Sequence, residues 1–411
     1  MADADTTSLP SLTPTAPALP DGVAHEIERR VDSYAAELTR VRRDLHAHPE
    51  LSRAEVRTTR VLRERLQRAG LTARILPGGT GLICDVGEGS TAVALRADLD
   101  ALPIQDAKDV PYRSTSPGIC HACGHDLHTT VLLGAGLVLA DLAREGRLAG
   151  RVRLIFQPAE EVMPGGALDV LAAGELEGVH SIYAVHCDPR TPVGQVGVRS
   201  GPITAASDVL HVRLRGPGGH TARPQNTADL VYALGKVVTE LPAALSRRVD
   251  PRAGLSVVWG RISAGVAGNT IPGFGECLGT VRCLDAEAWQ QAPELIETLV
   301  HAVVEPYGVA AEVRYERGVP PVVNDGDAAA LLAAAGREAL GDDAVVSTEQ
   351  SMGGEDFAWF LDRVPGALAR LGTSAGGDEV GDLHRPTFDA DERALAVGVR
   401  LFVAAALLSV P

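Results

Sequence analysis

The chain has 411 residues, of which 45% are apolar and 22% charged, and this composition is typical of a soluble globular protein with room for two domains. Its formal net charge of −15 argues against nucleic acid as a partner. Residues 1–20 are rich in Thr, Pro, Ser and Ala and contain no apolar core, which predicts a disordered tail and no signal peptide. Six cysteines without a secretion signal favour a cytoplasmic protein with reduced thiols. The most apolar segment, 394–410, contains Arg400 and is too short to predict a membrane span.

The first half of the chain predicts two helices, then buried strands and one long helix. Apolar residues recur at helical spacing from Val23 to about His46, where His46 and His48 are assigned structural roles. The later elements follow from apolar runs bounded by Gly and Pro. They are a helix over 54–69, strands over 72–76, 81–86 and 92–96, a helix over 129–142, and strands over 151–156 and 181–185.

The richest chemical signal is the stretch Cys120-His-Ala-Cys-Gly-His-Asp-Leu-His128. Thiolate, imidazole and carboxylate are the groups that hold borderline metals such as zinc and manganese, and Gly124 lets the backbone bend so that Cys123 and His125 reach one centre. A redox pair, half of a structural zinc site or a polar loop are the alternatives. No second Cys-x-x-Cys follows, and Gly124 stands where c-type haem attachment needs His. A catalytic metal site is therefore favoured.

Polar residues follow three of the predicted strands. Asp98 and Asp100 follow the first of them, Glu160 and Glu161 the second, and His186 the third. Any of these residues alone reads as a turn, cap or solvated side chain. Because ligand sites in open α/β sheets lie at the carboxyl ends of strands, together they predict one site. One glutamate can bind metal while the other moves protons.

The middle of the chain predicts a separate α+β unit. Its order, strand-helix-strand-strand-helix-strand, fits a ferredoxin-like insert. Its elements are expected over 208–215, 227–245, 255–262, 276–284, 286–304 and 310–315. His220 and Asn269 lie in Gly-rich loops of this unit, where they are either turn residues or groups that a lid presents to the site. A helix over 328–340, a strand over 367–371 and the terminal helix complete the first domain.

Eight segments in a fixed order resemble one family of metal-dependent amidohydrolases. That family comprises hippurate hydrolases, N-acyl-L-amino acid amidohydrolases and auxin-conjugate hydrolases, which are relatives of aminoacylases and glutamate carboxypeptidases. The segments are Arg43-Asp-Leu-His-Ala-His-Pro-Glu50, Ala97-Asp-Leu-Asp-Ala-Leu-Pro103, His121-Ala-Cys-Gly-His-Asp126, Phe156-Gln-Pro-Ala-Glu-Glu161, Gly218-Gly-His220, Gly268-Asn-Thr-Ile-Pro272, Met352-Gly-Gly-Glu-Asp-Phe357, and His384 with Phe388-Asp389.

The resemblance implies an α/β fold, with an open mixed-sheet, di-metal exopeptidase-like catalytic domain that carries the ferredoxin-like unit as a lid and dimerisation domain. The tail would occupy 1–20, the catalytic domain 21–202 and 317–411, and the lid 203–316. The implied site holds two divalent ions, Mn²⁺ or Zn²⁺, with Co²⁺ and Ni²⁺ also compatible. The implied ligands are Cys123, His125, Glu161, His186 and His384, and Glu160 would be the general acid/base.

The implied lid residues are His220, Asn269 and Arg282, which would hold the scissile carbonyl and the substrate carboxylate. His220 would serve the neighbouring subunit's site, because in this family the lid forms the homodimer interface. Asp98 is grouped with them as a site-supporting residue. The implied reaction is hydrolysis of the amide bond of N-acyl-L-amino acids of the hippurate or N-acetyl type. A dipeptidase, a carboxypeptidase or a biosynthetic N-deacetylase is the alternative.

The chain departs from the family pattern at two positions. Leu127 stands where Gly is usual, which narrows the pocket or packs the helix start, and Arg385 follows His384 where a small residue is common. A serine hydrolase is a rival reading, because Gly372-Thr-Ser374-Ala-Gly376 matches the nucleophile-elbow pattern. That pattern needs a helix directly afterwards, whereas Gly377 and Asp378 follow. A non-catalytic binding protein would be expected to lack Glu160 or a ligand, and this chain has them all.

Overall fold

A computed structural model describes residues 18–90, 92–376 and 381–410, so the predicted tail lies outside it except for residues 18–20. The strands are β1 (Ala73–Ile75), β2 (Leu82–Val86), β3 (Ala92–Asp98), β4 (Arg151–Gln157), β5 (Val179–Pro192), β6 (Val196–Val198), β7 (Gly201–Thr204), β8 (Ala206–Arg215), β9 (Gly219–His220), β10 (Ser256–Ala264), β11 (Thr270–Ile271), β12 (Phe274–Cys283), β13 (Ala310–Val319), β14 (Val322–Asn324), β15 (Val345–Ser347) and β16 (Gly366–Ser374). The helices are α1 (Val23–Ala47), α2 (Val56–Arg68), α3 (His125–Arg144), α4 (Ala167–Ala172), α5 (Leu230–Arg248), α6 (Ala286–Val304), α7 (Gly326–Leu340), α8 (Ala358–Leu361) and α9 (Ala394–Ser409).

The main sheet has eight strands in the order β1-β2-β4-β3-β5-β16-β6-β15 and mixes parallel with antiparallel pairs. Its centre, β4-β3-β5-β16, is parallel. These strands are apolar because helices cover both faces. On one face Leu95 and Val185 pack with α1, α3 and α9, and on the other Ala94 and Ala184 pack with α4 and α8. Parallel pairing brings the carboxyl ends of β3, β4 and β5 to one edge of the sheet.

Helix α3 runs through the core behind this sheet. It begins at His125, four residues earlier than predicted, directly after Gly124 with its left-handed φ of 84°. By length and composition α3 could cross a membrane, but 89% of its apolar window is buried inside the protein. It is therefore the buried core helix of a globular fold, and its first turn carries one of the predicted metal ligands.

A second sheet has four antiparallel strands in the order β10-β12-β8-β13 and packs with α5 and α6 around its own apolar core. Its chain order is strand-helix-strand-strand-helix-strand, as the sequence predicts. Buried Asp208 on β8 connects this strand to α6 and β13. Its carboxylate accepts hydrogen bonds from Trp289 Nε1 (2.6 Å), the Tyr315 hydroxyl (2.6 Å) and the Gly318 N–H (2.8 Å).

Candidate metal centre and its cavity

A cavity of about 390 Å³ lies where the main sheet faces the second sheet. Its wall on the main-sheet side includes Cys123 and His186, and Ser207 and Arg282 belong to the strands β8 and β12 of the second sheet. Two sheets thus contribute to one concave, polar site, which is the usual form of a small-molecule pocket.

Three buried donors converge on the inner wall of this cavity. Donor atoms of Cys123, His125 and His186 all lie within 4.8 Å of one another, and Cys123 Sγ is 3.5 Å from His186 Nε2. Burial raises the pKa of the Cys123 thiol well above its ordinary value, and burial lowers the pKa of His186. A neutral imidazole can bind a cation directly, and a neutral thiol binds one by giving up its proton.

A second group of donors shares Cys123 and lies nearer the cavity mouth. It consists of Cys123, Glu161 and His384, and His384 Nε2 is 3.4 Å from Glu161 Oε1. His384 has a left-handed backbone with a φ of 61°, and its N–H donates to the Ala122 carbonyl at 2.7 Å. This bond fixes the loop of His384 against the loop of Cys123, which are more than 250 residues apart in the chain.

The donor atoms fit divalent cations. Both ring nitrogens of His125 and Oε1 of Glu161 are buried and have no hydrogen-bond partner within the described part of the chain. Buried polar atoms are nearly always paired, so buried donors without a partner in a cluster of sulfur, nitrogen and oxygen atoms indicate a binding site for a cation. Thiolate, imidazole and carboxylate together suit borderline ions such as zinc and manganese.

Asp98 supports this cluster from below. Its carboxylate accepts hydrogen bonds from His128 Nδ1 at 2.7 Å and Arg96 Nη1 at 2.8 Å, and it is fully buried. His128 Nε2 in turn accepts the N–H of Cys187 at 2.8 Å, so both nitrogens of His128 are occupied within the protein. Asp98 lies outside the wall of the cavity.

Asp100 holds the turn that carries the two adjacent glutamates. Its carboxylate accepts the N–H groups of Glu160 (3.0 Å) and Glu161 (2.9 Å) and the hydroxyl of Ser52 (2.6 Å). These bonds aim both glutamate side chains at the cavity, where each carboxylate lies within 3.9 Å of His125 Nε2.

Glu160 belongs to an acidic group that sequence reasoning missed. Carboxylate oxygens of Glu160, Glu355 and Asp356 lie within 4.8 Å of one another. Burial and then the charge of Glu355 raise the pKa of Glu160 well above its ordinary value. The Met352–Phe357 segment is one of the family-like motifs. Its two adjacent acidic residues, Glu355 and Asp356, are the only signal in it that indicates a place for Glu355 in the site. Buried Arg96 pairs with Glu355 at 3.1 Å and Asp356 at 2.8 Å.

Of the three predicted lid residues, the structure brings only Arg282 to the cavity. His220 ends the short exposed strand β9, where it pairs with Thr270 of β11, and Asn269 is exposed directly before β11. The Thr221 N–H donates to the Asn269 carbonyl. Neither His220 nor Asn269 lines the cavity of its own chain.

The remaining sequence questions have structural answers. Leu127 is fully buried in the main core, so it packs the helix start and does not narrow the cavity. Arg385 is exposed beside His384 and lies outside the cavity wall.

Ser374 ends β16. A nucleophile elbow requires a helix directly after the serine, but the described residues that follow Ser374 directly, 375–376, are not helical. Cys120 is buried and forms no disulfide with Cys123, so the redox-pair reading has no support in this geometry.

Comparison with known proteins agrees with the site. The family model described as Peptidase family M20/M25/M40 matches residues 94–408. A solved structure, described as the Bacillus subtilis YXEP protein, a dinuclear metal binding peptidase from the M20 family, is 36% identical with a TM-score of 0.81, over 92% of this chain and 99% of that one. The "N-acetylcysteine deacetylase" of Bacillus subtilis (strain 168) is 38% identical, over 92% of this chain and 97% of its own length.

One relative is longer than the others. The protein named "Putative glutamate--cysteine ligase 2-3" in Rhodococcus jostii (strain RHA1) is 50% identical over 88% of this chain, but the chain spans only 45% of that protein's length. The family match covers more than half of the chain and includes every predicted metal ligand, from Cys123 to His384. The chain therefore belongs to peptidase family M20/M25/M40 and is a metal-dependent hydrolase.

Proposed function

We propose that this chain hydrolyses the amide bond of N-acyl-L-amino acids and releases a carboxylic acid and a free amino acid. The observation that carries the proposal is the convergence of Cys123, His186 and His384 with the two glutamates on one cavity. The name of the Bacillus subtilis deacetylase, which specifies an N-acetylated amino acid, supports it. Hippurate-type and N-acetyl substrates both belong to this class.

The proposed cofactors are two divalent cations, with manganese or zinc as the first candidates and cobalt or nickel as compatible ions. Cys123, His125 and His186 would hold one, and Glu161 and His384 would hold the other together with the shared Cys123 thiolate. When bound, such ions supply Lewis-acid catalysis for amide hydrolysis. The similarity to the Bacillus subtilis YXEP protein, which is described as a dinuclear metal binding peptidase, supports a pair of ions.

Glu160 is the proposed general acid/base. Its carboxylate lines the cavity beside Glu161, and its backbone is fixed by Asp100. From that position Glu160 takes a proton from the attacking water and later delivers it to the departing amine nitrogen. An amide needs both transfers, because its nitrogen leaves readily only as a neutral amine.

The second sheet is the proposed lid and dimerisation unit. Arg282 would bind the substrate carboxylate, since it lines the cavity and carries a positive charge. Strand β10 is an edge of its sheet and exposes Val258 and Ile262, and such an apolar edge suits pairing with a second copy. In that homodimer His220 and Asn269 would reach the partner's cavity, which accounts for their exposure in one chain.

Cysteine derivatives are a second candidate substrate within the same class. Three relatives of the chain carry names that contain cysteine, two as deacetylases and one as a ligase. N-acetyl-L-cysteine therefore belongs in the substrate panel beside N-benzoyl-glycine, N-acetyl-L-methionine and simple dipeptides. Six unpaired cysteines in the described residues suit a reducing compartment, and we place the enzyme in the cytoplasm.

The first test measures free amino acid released from this panel by chelator-stripped protein and by the same protein after manganese or zinc is restored. Activity that disappears on stripping and returns with metal supports the proposal. Activity that survives stripping contradicts it. Faster cleavage of dipeptides than of every N-acyl amino acid would assign the chain to the peptidase alternative.

The second test separates Glu160 from the ligands. Glu160→Gln is expected to lower kcat by about 100-fold or more, as for a lost general acid/base, while bound metal stays at the level of the unmodified protein. Glu64→Gln, which removes an exposed carboxylate on α2, is the matched control and should change neither. Full activity of Glu160→Gln would refute the assignment.

The third test asks whether His220 acts in the partner's site. His220→Ala and Glu160→Gln proteins are each expected to be inactive, and mixing them under subunit exchange should restore about a quarter of full activity, because half of the dimers then contain one intact site. No recovery, together with proven exchange, would show that His220 acts within its own chain or not at all.

A further inference from the structure

Arg370 is a buried cation on the wall of the catalytic cavity. It lies on β16, its residue exposure is 7%, and it lines the same cavity as Glu160 and His384. Burial lowers the pKa of its guanidinium from an ordinary value of 12.5, and arginine nevertheless keeps its charge at neutral pH. A buried charge of this kind is stable only when it is paired.

Arg370 differs from every other buried arginine of the described residues. Arg42 bonds Asp126, Arg96 bonds Asp98, and Arg153 bonds Asp85, each at 2.7 or 2.8 Å. For Arg370 no side-chain hydrogen bond and no ion pair with a carboxylate occurs among residues 18–90, 92–376 and 381–410. The guanidinium therefore has donors to spare, and they belong to the cavity wall.

Across the sheet, Arg370 has no acidic neighbour among the described residues. Its partner across to β5 is His186, and its partner across to β6 is Gly197, which has no side chain. A Cβ at Gly197 would lie 3.3 Å from the Arg370 Cβ, so this glycine leaves room for the arginine. Leu368 and Gly372, two residues away on β16, occupy the same face of the strand.

The two acids whose charges raise the pKa of Arg370, Glu355 and Asp188, are bound to other donors. Glu355 pairs with Arg96 at 3.1 Å, and Asp188 accepts from the Arg190 N–H at 3.0 Å and the Thr191 hydroxyl at 2.8 Å. Their charges act on Arg370 from a distance, but neither carboxylate accepts a hydrogen bond from its guanidinium. The unfilled partner of Arg370 is therefore expected to come from the cavity.

We propose that Arg370 binds a second anionic group of the substrate, so that the preferred substrates are N-acyl amino acids with two carboxylates. This inference rests on the proposed function, in which Arg282 takes the first carboxylate. The cavity thus presents two guanidinium groups, one from each sheet. A planar guanidinium binds a carboxylate through two parallel hydrogen bonds, which gives both affinity and orientation.

The second carboxylate can stand in either half of the substrate, and matched substrate pairs distinguish the two. N-acetyl-L-aspartate against N-acetyl-L-asparagine tests the amino-acid half. N-succinyl-L-alanine against its succinamic amide tests the acyl half. Within each pair the shape is kept and only the charge changes. In one pair the acid is expected to exceed the amide in kcat/KM by about 10- to 100-fold, the range of a charged hydrogen bond.

The Arg370→Gln variant should abolish this discrimination. We expect the acid-to-amide ratio to fall to about one, mainly through KM, while turnover of the amide changes little. Arg370→Lys should keep part of the preference because it keeps the charge but loses the two-bond geometry. Arg190→Gln is the matched control, since Arg190 lies on the neighbouring strand with a side chain 62% exposed and lies outside the cavity wall.

Two results would overturn the inference. One is an unmodified enzyme that cleaves acid and amide equally, and the other is an equal loss for both substrates in Arg370→Gln, which would show that Arg370 only supports the acidic cluster. Calorimetric binding of the same pairs to metal-loaded Glu160→Gln protein does not need turnover. Tighter binding of the acid that depends on Arg370 supports the inference even if hydrolysis of N-acyl amino acids fails, so the two failures are distinguishable.

Discussion

Gly124 is the position at which one added methyl group should do most damage to the metal centre. Its φ of +84° lies in the left-handed region, and a Cβ built there would lie 2.6 Å from Cys187 Sγ and 3.2 Å from Cys187 Cβ. Cys187 is fully buried on β5, so it has little freedom to move away. Gly124 also stands directly between Cys123 and His125, so any shift of its backbone moves two of the proposed ligands.

The expected cost of Gly124→Ala has two parts. The left-handed conformation costs a residue with a Cβ about 1–2 kcal/mol, and forcing an extra methyl group into a packed core costs about 1–3 kcal/mol. Together they lower the free energy of unfolding by about 2–5 kcal/mol. Gly70→Ala is the matched control, because Gly70 has a φ of +81° but nothing within 4 Å of its would-be Cβ. That variant should show the first part alone.

Urea unfolding of both variants, each stripped of metal, separates the two parts. A lower midpoint at unchanged slope gives the loss of stability. Gly124→Ala should lose at least about 1 kcal/mol more than Gly70→Ala. It should also bind manganese or zinc more weakly, whereas Gly70→Ala should bind normally. Equal destabilisation of the two variants, or full metal binding by Gly124→Ala, would refute the reasoning.

Three further substitutions test other buried or paired charges. Arg42→Leu should cost about 1.5–3 kcal/mol in urea unfolding, because buried Asp126 loses the charged hydrogen bond that Arg42 donates at 2.8 Å and keeps its bond to His46 at 2.7 Å. Asp208→Asn should cost about 1.5–3 kcal/mol in urea unfolding monitored by Trp fluorescence, because an amide keeps one acceptor oxygen and its N–H₂ then faces either the Trp289 and Tyr315 donors or the Gly318 N–H. Hydrogen bonds from Arg147 and then Arg30 lower the pKa of Glu26 from 4.5 to about 2, so its stabilisation, about 1 kcal/mol for such a surface group, is present above pH 4.5 and lost as the pH falls towards 2. The stability gap between the unmodified protein and Glu26→Gln should therefore close over that range, and a constant gap would contradict the pairing.

The elements that the sequence predicts best are those whose side chains repeat with a clear period. Helix α6 has the predicted bounds, Ala286–Val304, and the order of strands and helices in the second unit is as predicted. Strand β5 was expected to end before His186 but continues to Pro192. The residues beyond His186 show no run of apolar side chains that would predict a strand. They belong to β5 because their backbone pairs with β16, as between Cys187 and Leu371. Pairing of that kind is invisible in a single sequence.

The candidate ligands stand out in the sequence because their residue types are rare and two of them, Glu161 and His186, follow apolar runs that predict strands. Glu161 follows the buried strand β4 and His186 lies on β5, and the pairing of both strands with β3 places them at one edge of the sheet. Cys123 lies in the loop that leads into the buried helix α3. Glu355 gave a weaker signal, since an acid in a glycine-rich loop is usually solvated. Glu355 can be buried because it forms an ion pair with Arg96, which lies about 260 residues away in the chain.

Arg96 and Arg370 have similar local sequences but different surroundings in the fold, which the sequence alone does not predict. Each is a single arginine in an apolar strand of the main sheet, and each is buried on the face that carries the site. Arg96 meets three carboxylates and is therefore a structural cation, whereas Arg370 lies between His186 and Gly197 and keeps its donors for the cavity. The difference is set by strands that pair from distant parts of the chain. The same residue type in the same local pattern thus stabilises the fold in one strand and is available to select a substrate in the other.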